Sequence, residues 1–451
     1  MLNVECSPRS QSGSVLIIVM WIAIGLVSIA LYFANSMSYE LQASDNRVSG
    51  LAADQAIEGA ARYVSYVLQN YATNGAVPMT NQYACTAVPV GDARFWLIGR
   101  DTSGQNITTP TFGLVDENSK LNLNTVNTNV LSYLTNMTTD FAEDILDWRG
   151  TNGTVSLDYA ALGYIPKNAP FETVDELRLV YGATMDLLAG DDINRNGVLD
   201  ANETSSTGTG QMNYGLFEYT TVWTREPNFH SDGTSLTNVN TASQSTIQAL
   251  LTGDGVSSAT TMARSIYRYV HNSPGGVNNY HGILDLAVQC RNFGMATADF
   301  AKIYNDVTTS TNLYLRGRLN VNTARAEVLS ALFQGLNVDQ QTADSAAQSL
   351  ITYREQNPTS LNSIAWMIDT LGNTNQVITA LRRGDYVTTR SYQFTADIAA
   401  VGPFGRGYRR VKFIFDMSNG SPVILYRQDL SRLGWALGDQ ARQTWLAQQT
   451  P

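Results

Sequence analysis

The feature that most constrains this chain is an uncharged apolar stretch close to its N-terminus. The stretch, "SVLIIVMWIAIGLVSIALYFA", runs from Ser14 to Ala34. About 20 apolar residues in a helix, rising about 1.5 Å each, cross the hydrocarbon core of a bilayer. Arg9 lies before the stretch, and positive charge on that side favours a cytoplasmic leader. The sequence therefore predicts a single-pass membrane helix with the bulk of the chain outside the cytoplasm; a plain signal anchor is the alternative for this segment alone.

The helix is predicted to continue beyond the membrane into a folded head. No proline occurs between Tyr39 and Gln69. Apolar residues recur there at the three-to-four spacing of an amphipathic helix, so one face should pack on the head. These residues are Leu51, Ile57, Ala61, Val64 and Leu68. Strand patterns follow at Ala93–Asp101 and Gly215–Glu226, and three alternating C-terminal segments predict a β-meander.

Three stretches of the chain share an Asn-x-Asn-Thr core. They are "KLNLNTV" (Lys120–Val126), "LTNVNTA" (Leu236–Ala242) and "RLNVNTA" (Arg318–Ala324). Each is followed by two segments with helical patterning, and a Thr or Asn before such a segment is a good helix cap. The sequence therefore predicts three helical units, and the third resembles a helix-hairpin-helix or SAM-like unit. Its hairpin lacks the second glycine of DNA-binding units and the net charge is −10, so no nucleic-acid binding is expected.

One acidic loop has the spacing of a calcium site. The segment "DDINRNGVLDANE" begins at Asp191, and an EF-hand-type loop requires oxygen ligands at its first, third, fifth, seventh, ninth and twelfth positions. The predicted ligands are Asp192, Asn194, Asn196, the main-chain carbonyl of Val198, Asp200 and Glu203, with Gly197 at the turn. A solvated turn is the alternative. Because no helical pattern follows the loop, we predict structural Ca²⁺ rather than a sensor.

The chain carries little sign of catalytic chemistry. Its three histidines, His230, His271 and His281, lack zinc-ligand spacing, and no phosphate-binding glycine loop or Gly-x-Ser-x-Gly motif is present. We therefore expect no enzymatic activity. Cys85 and Cys290 could form a disulfide in an oxidising compartment, or both could remain free.

The N-terminal region resembles that of type IV pilins and pseudopilins. The polar leader ends at Gly13, so Ser14 would be the first mature residue after cleavage by prepilin peptidase. Pilins usually carry Glu at the fifth mature position, whereas this chain has Ile18. In a filament shaft that carboxylate neutralises a neighbouring amine, and an unpaired charge in the apolar filament core would be costly. The departure suits a filament end and resembles the K-type minor pseudopilins of type II secretion.

Further segments resemble the same family in the same order. They are "GLVDENSKLNLNT", "DILDWRG", "YIPKNAPFETVDELRLVYG" and "RGRLNVNTARAEVL". The resemblance implies an α+β fold with a pilin-like N-terminal transmembrane helix, a small antiparallel sheet and a large inserted helical domain. The expected divisions are a prepilin-type leader (1–13), the pilin helix (14–70), a pilin-like β region (71–124), a first helical unit with the calcium loop (125–214), a strand and second helical unit (215–316), a third helical unit (317–390) and a C-terminal β-meander with its tail (391–451).

The function implied by the resemblance is that of a minor pseudopilin at the tip of a periplasmic pseudopilus. Such a protein is held in the bacterial inner membrane by one helix, with its C-terminal domain in the periplasm. The implied partners are other minor pseudopilins, the inner-membrane secretion assembly platform, prepilin peptidase and the membrane. Two alternatives are a minor pilin or adhesin of a type IV pilus and a membrane-anchored helix-hairpin-helix protein of DNA uptake.

Overall fold

The structure is a computed structural model that describes residues 12–103, 107–151, 159, 163–207, 212–271, 278–439 and 441, so most of the predicted leader lies outside the described residues. Within them the chain forms thirteen α-helices and fourteen strands. The helices are α1 (Ser12–Tyr71), α2 (Thr128–Leu131), α3 (Thr139–Trp148), α4 (Met185–Leu188), α5 (Leu216–Tyr219), α6 (Gln244–Gly253), α7 (Ala259–His271), α8 (Ile283–Asn292), α9 (Thr297–Ile303), α10 (Ala326–Gly335), α11 (Gln340–Gln356), α12 (Trp366–Leu371) and α13 (Gln376–Leu381). The strands are β1 (Val88–Val90), β2 (Ala93–Ile98), β3 (Val115–Asp116), β4 (Leu121–Asn122), β5 (Thr220–Thr221), β6 (Arg225–Pro227), β7 (Thr237–Asn238), β8 (Val307–Thr308), β9 (Tyr314–Arg316), β10 (Leu319–Asn320), β11 (Val387–Thr388), β12 (Gln393–Val401), β13 (Arg409–Asp416) and β14 (Val423–Asp429).

Helix α1 has two halves with opposite environments. In the first half the large apolar side chains are exposed, among them Leu16 and Trp21, and α1 is the one described helix long and apolar enough to cross a membrane. In the second half, small and aliphatic side chains at three-to-four spacing are buried against the sheet, as predicted. They include Ala53, Ala56, Ile57, Ala60, Ala61, Val64 and Leu68. Leu51, which was predicted on this face, is instead exposed.

The main sheet is antiparallel, with the strand order β1-β2-β12-β13-β14 and β3 also paired with β12. Successive residues of β12 point to opposite faces. Phe394, Ala396 and Ile398 pack with α1 in one core, whereas Ala399 packs with Trp96 in a small core on the other side. The predicted C-terminal meander is therefore confirmed as β12, β13 and β14.

The helical domain is inserted between neighbouring strands of this sheet. It follows β3 and returns at β12, where Asp116 lies opposite Phe394 in the register. The Asp116 carboxylate accepts hydrogen bonds from Asn320 Nδ2 at 2.7 Å, Thr323 Oγ1 at 2.5 Å and the Ser391 hydroxyl. Burial nevertheless raises the pKa of Asp116 to about 6. One buried carboxylate thus ties the third Asn-x-Asn-Thr stretch to the sheet.

The three Asn-x-Asn-Thr stretches have the same local structure. Each begins in a two-residue strand that pairs in parallel with a strand at the end of its unit: β4 with β5, β7 with β8, and β10 with β11. The first Asn of each stretch accepts a hydrogen bond from the main-chain N–H two residues later, which forms a tight side-chain-capped turn. These acceptors are Asn122, Asn238 and Asn320. The three stretches therefore share one local geometry.

The second Asn of each stretch fastens the far end of its unit. Asn124 exchanges two hydrogen bonds with the main chain of Phe171, and Asn240 does the same with Tyr280. Asn322 donates to the Leu361 carbonyl and accepts from the Trp366 indole. A primary amide has both donors and an acceptor, so one side chain can close a loop of about 40 residues. This explains why the motif needs Asn at its second conserved position.

One predicted strand is wrong. The segment Gly215–Glu226 was predicted as a strand, but it forms helix α5 followed by the short strands β5 and β6. Leu216 and Tyr219 are both buried, and their spacing of three residues fits one face of a helix. Gly215 also lies so close to α4 that a Cβ would be 2.3 Å from the Leu188 carbonyl oxygen, so this point allows only glycine.

Of the two alternatives for the cysteines, the structure has the free thiols. Cys85 and Cys290 are both free thiols. Cys85 packs beside the core between α1 and the sheet, whereas Cys290 is fully buried in α8 within the core of the helical domain. Two cysteines in separate cores cannot meet without unfolding one of them, which composition alone does not reveal.

Candidate calcium loop

The predicted calcium loop folds around the side chain of its first ligand residue. The Asp192 carboxylate accepts hydrogen bonds from the main-chain N–H of Asn196 at 2.9 Å and of Gly197 at 2.7 Å. The backbone turns through Arg195 (φ 57°) and Gly197 (φ 86°), both in the left-handed region. At Gly197 a Cβ would lie 2.9 Å from Arg100 Cδ, so glycine meets both a conformational and a steric demand there.

The two ends of the loop are held together by its last ligand residue. Glu203 accepts hydrogen bonds from Ile193 N at 2.9 Å and from Asp200 N at 3.0 Å. The side chains of Asp192 and Asn196 are almost fully buried, as is Glu203. Six ligand positions that were predicted from spacing therefore lie on one closed turn of the chain.

The residues of the loop fit calcium by their donor chemistry. Carboxylate, amide and main-chain oxygens are what this hard cation prefers, and a carboxylate oxygen that accepts one N–H keeps a lone pair for a metal. Burial raises the pKa of Asp192 to about 6, and a divalent cation would favour the ionised form. In the described part of the chain no three His, Cys, Asp or Glu side chains form a metal-binding group, so the set depends on amide and carbonyl oxygens.

The regions that flank the loop do not form a helix pair. Before the loop lies α4, which has four residues, and the next described helix after it is α5. Asp191, which directly precedes the predicted ligands, accepts hydrogen bonds from the main-chain N–H groups of Ser206 and Asn213. This carboxylate fastens the base of the loop rather than its centre, in agreement with its omission from the predicted ligand set.

The loop is attached to the C-terminal segment and to the sheet, which sequence reasoning did not predict. Asn194 Nδ2 donates to the Trp435 carbonyl at 3.2 Å and Asn196 Nδ2 donates to the Ala436 carbonyl at 3.3 Å. Arg410 of β13 donates to the carbonyl of Asn194 at 2.5 Å. The loop is therefore a junction between the helical domain, the sheet and the last described segment.

The Arg410 guanidinium belongs to a buried ion pair on the sheet. Its Nη2 lies 2.6 Å from Asp397 Oδ2, and both side chains are almost completely inaccessible. Arg410 holds the pKa of Asp397 below its usual range, although burial opposes this. The sequence carries a signal for this pair: a carboxylate in the middle of the fully buried β12 and an arginine in β13. A charged side chain in a buried strand requires a partner of opposite charge.

A second ionic group surrounds the same junction. Arg100 Nε lies 2.8 Å from Glu218 Oε2 and its Nη2 donates to the Arg195 carbonyl at 2.8 Å. Arg325 approaches the other Glu218 oxygen at 3.4 Å. Lys412 faces the same cavity, where burial lowers its pKa to about 8. The interface between helical domain and sheet is thus polar and charged rather than apolar.

The N-terminal site residues lie at the start of α1. Helix α1 includes Gly13 and Ser14, and Ile18 is exposed on its apolar half. No charged residue occurs between Ser14 and Ala34. A carboxylate for pairing with a neighbouring amine is therefore absent from this segment, as the sequence indicates.

Comparison with known proteins assigns the third helical unit. Residues 319–373, from β10 to just beyond α12, match the family model of protein K of the type II secretion system. Over these residues the chain is similar to protein K, and this similarity supports a minor pseudopilin of type II secretion. The match favours type II secretion over the type IV pilus and DNA-uptake alternatives, and it confirms the resemblance found in the sequence. No curated protein matches the chain.

One solved structure also matches part of the chain. It is the crystal structure of the GspK-GspI-GspJ complex from the type 2 secretion system of enterotoxigenic Escherichia coli. The alignment covers 46% of this chain and 78% of that chain, with 12% sequence identity and a TM-score of 0.18. The similarity to type II secretion therefore rests on the third helical unit.

Proposed function

We propose that this pseudopilin stands at the tip of a periplasmic pseudopilus and is held in the inner membrane by α1 before assembly. The observation that carries the proposal is the apolar half of α1, which is exposed and has Ile18 where a shaft subunit would offer a carboxylate. A subunit without that carboxylate cannot neutralise the amine of a neighbour in an apolar core, where an unpaired charge is costly. Such a subunit can end a filament but is poorly suited to repeat within it.

The proposed partners are other minor pseudopilins, the inner-membrane assembly platform and prepilin peptidase. Two uncovered surfaces support contacts with other subunits. One is the apolar half of α1, and the other is the outer edge of β14, where Val423, Ile424 and Leu425 are about half exposed. Open strand edges with apolar side chains favour association. The proposed role is structural, without a catalytic step.

We also propose that Ca²⁺ is a structural ion of the head. Asp192, Asn194, Asn196, Asp200 and Glu203 would hold it with the Val198 carbonyl. When bound, the ion supplies positive charge that offsets the mutual repulsion of buried carboxylates. The support for this role is the attachment of the loop to the C-terminal segment and to Arg410, because stiffening the loop would stiffen that junction.

The experiment that tests the assignment is the substitution Gly13→Ala in cells with a working type II secretion system. We expect the variant chain to keep its leader, measured as intact mass, and secretion of a reporter enzyme to fall to the level of a strain that lacks the protein. Ser10→Ala, a change in the same leader, is the control and should be processed normally. A Gly13→Ala chain that keeps its leader and still supports secretion would contradict the proposal.

A further inference from the structure

The hairpin between β12 and β13 presents an aromatic side chain under backbone strain. Its sequence is "GPFGRG", Gly402–Gly407, and Phe404 at its tip is 74% exposed with φ at 59°. The left-handed region is energetically unfavourable for a bulky residue. Because the ring of Phe404 is exposed, packing in the core of the head does not offset this conformational energy. An exposed Phe in this conformation therefore indicates a contact with something outside the head.

The hairpin is fixed on α1 by main-chain contacts. A Cβ on Gly402 would lie 2.2 Å from the Ser49 carbonyl oxygen, and a Cβ on Gly407 would lie 2.4 Å from Gly50 N. Gly402 and Gly407 therefore allow the loop to approach the helix backbone more closely than any other residue could. The tip does not move freely with respect to α1, so the direction in which it points is a property of the fold.

Contacts along α1 show which end of the sheet carries this hairpin. Arg406 pairs with Asp45 and Arg409 pairs with Asp54. The opposite end of the sheet contacts α1 much later in the helix, where the Gln69 side chain donates to the Gly420 carbonyl. Phe404 therefore projects from the end of the head that is nearest to the apolar half of α1.

The distance from this tip to a bilayer is short. Asp45 follows Tyr39 by six residues, or about 9 Å along a helix. Tyr39 is 71% exposed, and an exposed Tyr just beyond an apolar span favours the membrane interface. That interface is about 5–8 Å thick on each side of the hydrocarbon core, and spanning helices tilt by about 20° on average. The main-chain contacts of the hairpin lie further along, at Ser49 and Gly50, and a tilt of α1 toward the hairpin shortens the distance from its tip to the interface.

We propose that Phe404 enters the interfacial layer of the bilayer that holds α1, with the hairpin acting as a second membrane contact of the head. The exposed Arg432 at the same end of the sheet supplies positive charge for anionic lipid headgroups, whereas Arg406 is paired with Asp45. Aromatic and basic side chains together are typical of surfaces that lie on membranes. The inference rests on the proposed membrane-anchored state and adds an orientation of the head before assembly.

Site-specific photocrosslinking to lipid tests this contact in the full chain. The chain is reconstituted into vesicles of phosphatidylethanolamine and phosphatidylglycerol, with p-benzoylphenylalanine at one position at a time, and lipid adducts are quantified by mass. Position 404 is compared with position 165 on the helical domain, because Ile165 is similarly exposed at 79%. We expect at least a tenfold higher adduct yield at 404 than at 165.

A third position separates failure of this inference from failure of the proposed function. Val27 lies in the apolar half of α1 and is 57% exposed. Lipid adducts at 27 together with background yield at 404 would overturn the hairpin contact alone. An absence of adducts at 27 would overturn the membrane anchor itself. Adducts at 404 with a second copy of the chain instead of lipid would also overturn the inference.

Discussion

The two faces of the main sheet solve the packing problem in different ways. Toward α1, Phe394, Ile398 and Phe413 form an apolar core with the helix. Toward the helical domain, the same strands carry Asp397 and Arg410, which are buried and paired. Adjacent residues of one strand thus serve a continuous apolar layer on one side and, on the other, a buried ionic group beside the small core of Trp96 and Ala399.

The two faces of the sheet differ in how strictly their contacts fix the position of the neighbouring element. Apolar contacts are non-directional and tolerate substitutions of similar volume. A buried ion pair contributes little net stability compared with an apolar pair, but its geometry is directional, and breaking it is costly. Arg410 also donates to the Asn194 carbonyl, so this ionic group fixes the position of the candidate calcium loop. We infer that the apolar face holds the sheet on α1 and that the ionic face sets the position of the inserted domain.

The largest effect is expected from removing one member of the buried pair. Arg410→Met leaves the Asp397 carboxylate buried without its partner, so the free energy of unfolding should fall by about 3–5 kcal/mol. Chemical denaturation of the full chain in detergent micelles measures this value. The double variant Asp397→Leu/Arg410→Met removes both charges and should recover most of the loss. A double variant as unstable as Arg410→Met would contradict the ionic explanation.

The apolar face supplies a matched control for this prediction. Ile398 is adjacent to Asp397 and fully buried against α1. Ile398→Ala should lower the free energy of unfolding by about 2–5 kcal/mol through a cavity. Its response to calcium should be unchanged, whereas Arg410→Met should also weaken that response. Equal calcium responses in the two variants would show that the two faces are not specialised in this way.

The next largest effect is expected from calcium, which should stabilise the folded head. An ion that binds the folded loop alone adds about 2.7 kcal/mol at one hundred times its Kd. We expect the melting temperature to rise with Ca²⁺ and to return with a chelator, and Asp192→Ala/Glu203→Ala should abolish the difference. Asp92→Asn, at an exposed turn, is the control. The same melting temperature with calcium and with chelator would refute a structural ion.

Much of this architecture was accessible from the sequence because it depends on local patterns. The apolar period of α1, the alternation of β12 and β13 and the Asn-x-Asn-Thr repeats each report a local geometry. The spacing of Asp192, Gly197 and Glu203 likewise predicts a closed loop.

The contacts that position the loop were not accessible in the same way. The Arg410–Asn194 contact joins residues 216 positions apart, and Asp116 joins three separate segments. Which residues meet across such sequence distances depends on how the helical domain packs on the sheet, and the local spacing of residues does not contain this information. The strand predicted at Gly215–Glu226 failed for a related reason, because short elements are decided by tertiary packing.

A smaller effect is expected at a charge on the ionic face. Lys412 is in the cavity between sheet and helical domain, and burial lowers its pKa to about 8 from 10.5. Because folding disfavours the charged amine, the contribution of Lys412 to stability rises between about pH 8 and pH 10.5. Lys412→Met should stabilise the chain by about 1 kcal/mol at pH 7, with the gain shrinking at pH 10. Denaturation at both pH values measures this, and a destabilised variant at pH 7 would contradict it.

The smallest effect is expected for ion pairs at the rim of the α1 face. Arg409 and Asp54 are 3.1 Å apart and each is about half exposed. Solvent and salt screen such a pair, so Asp54→Asn should change the free energy of unfolding by less than about 1 kcal/mol. Glu58→Gln, which breaks the similarly exposed pair with Arg427, is the matched control and should behave alike. A loss at Asp54 comparable to that at Arg410 would mean that charges position both faces of the sheet, and the contrast between them would no longer hold.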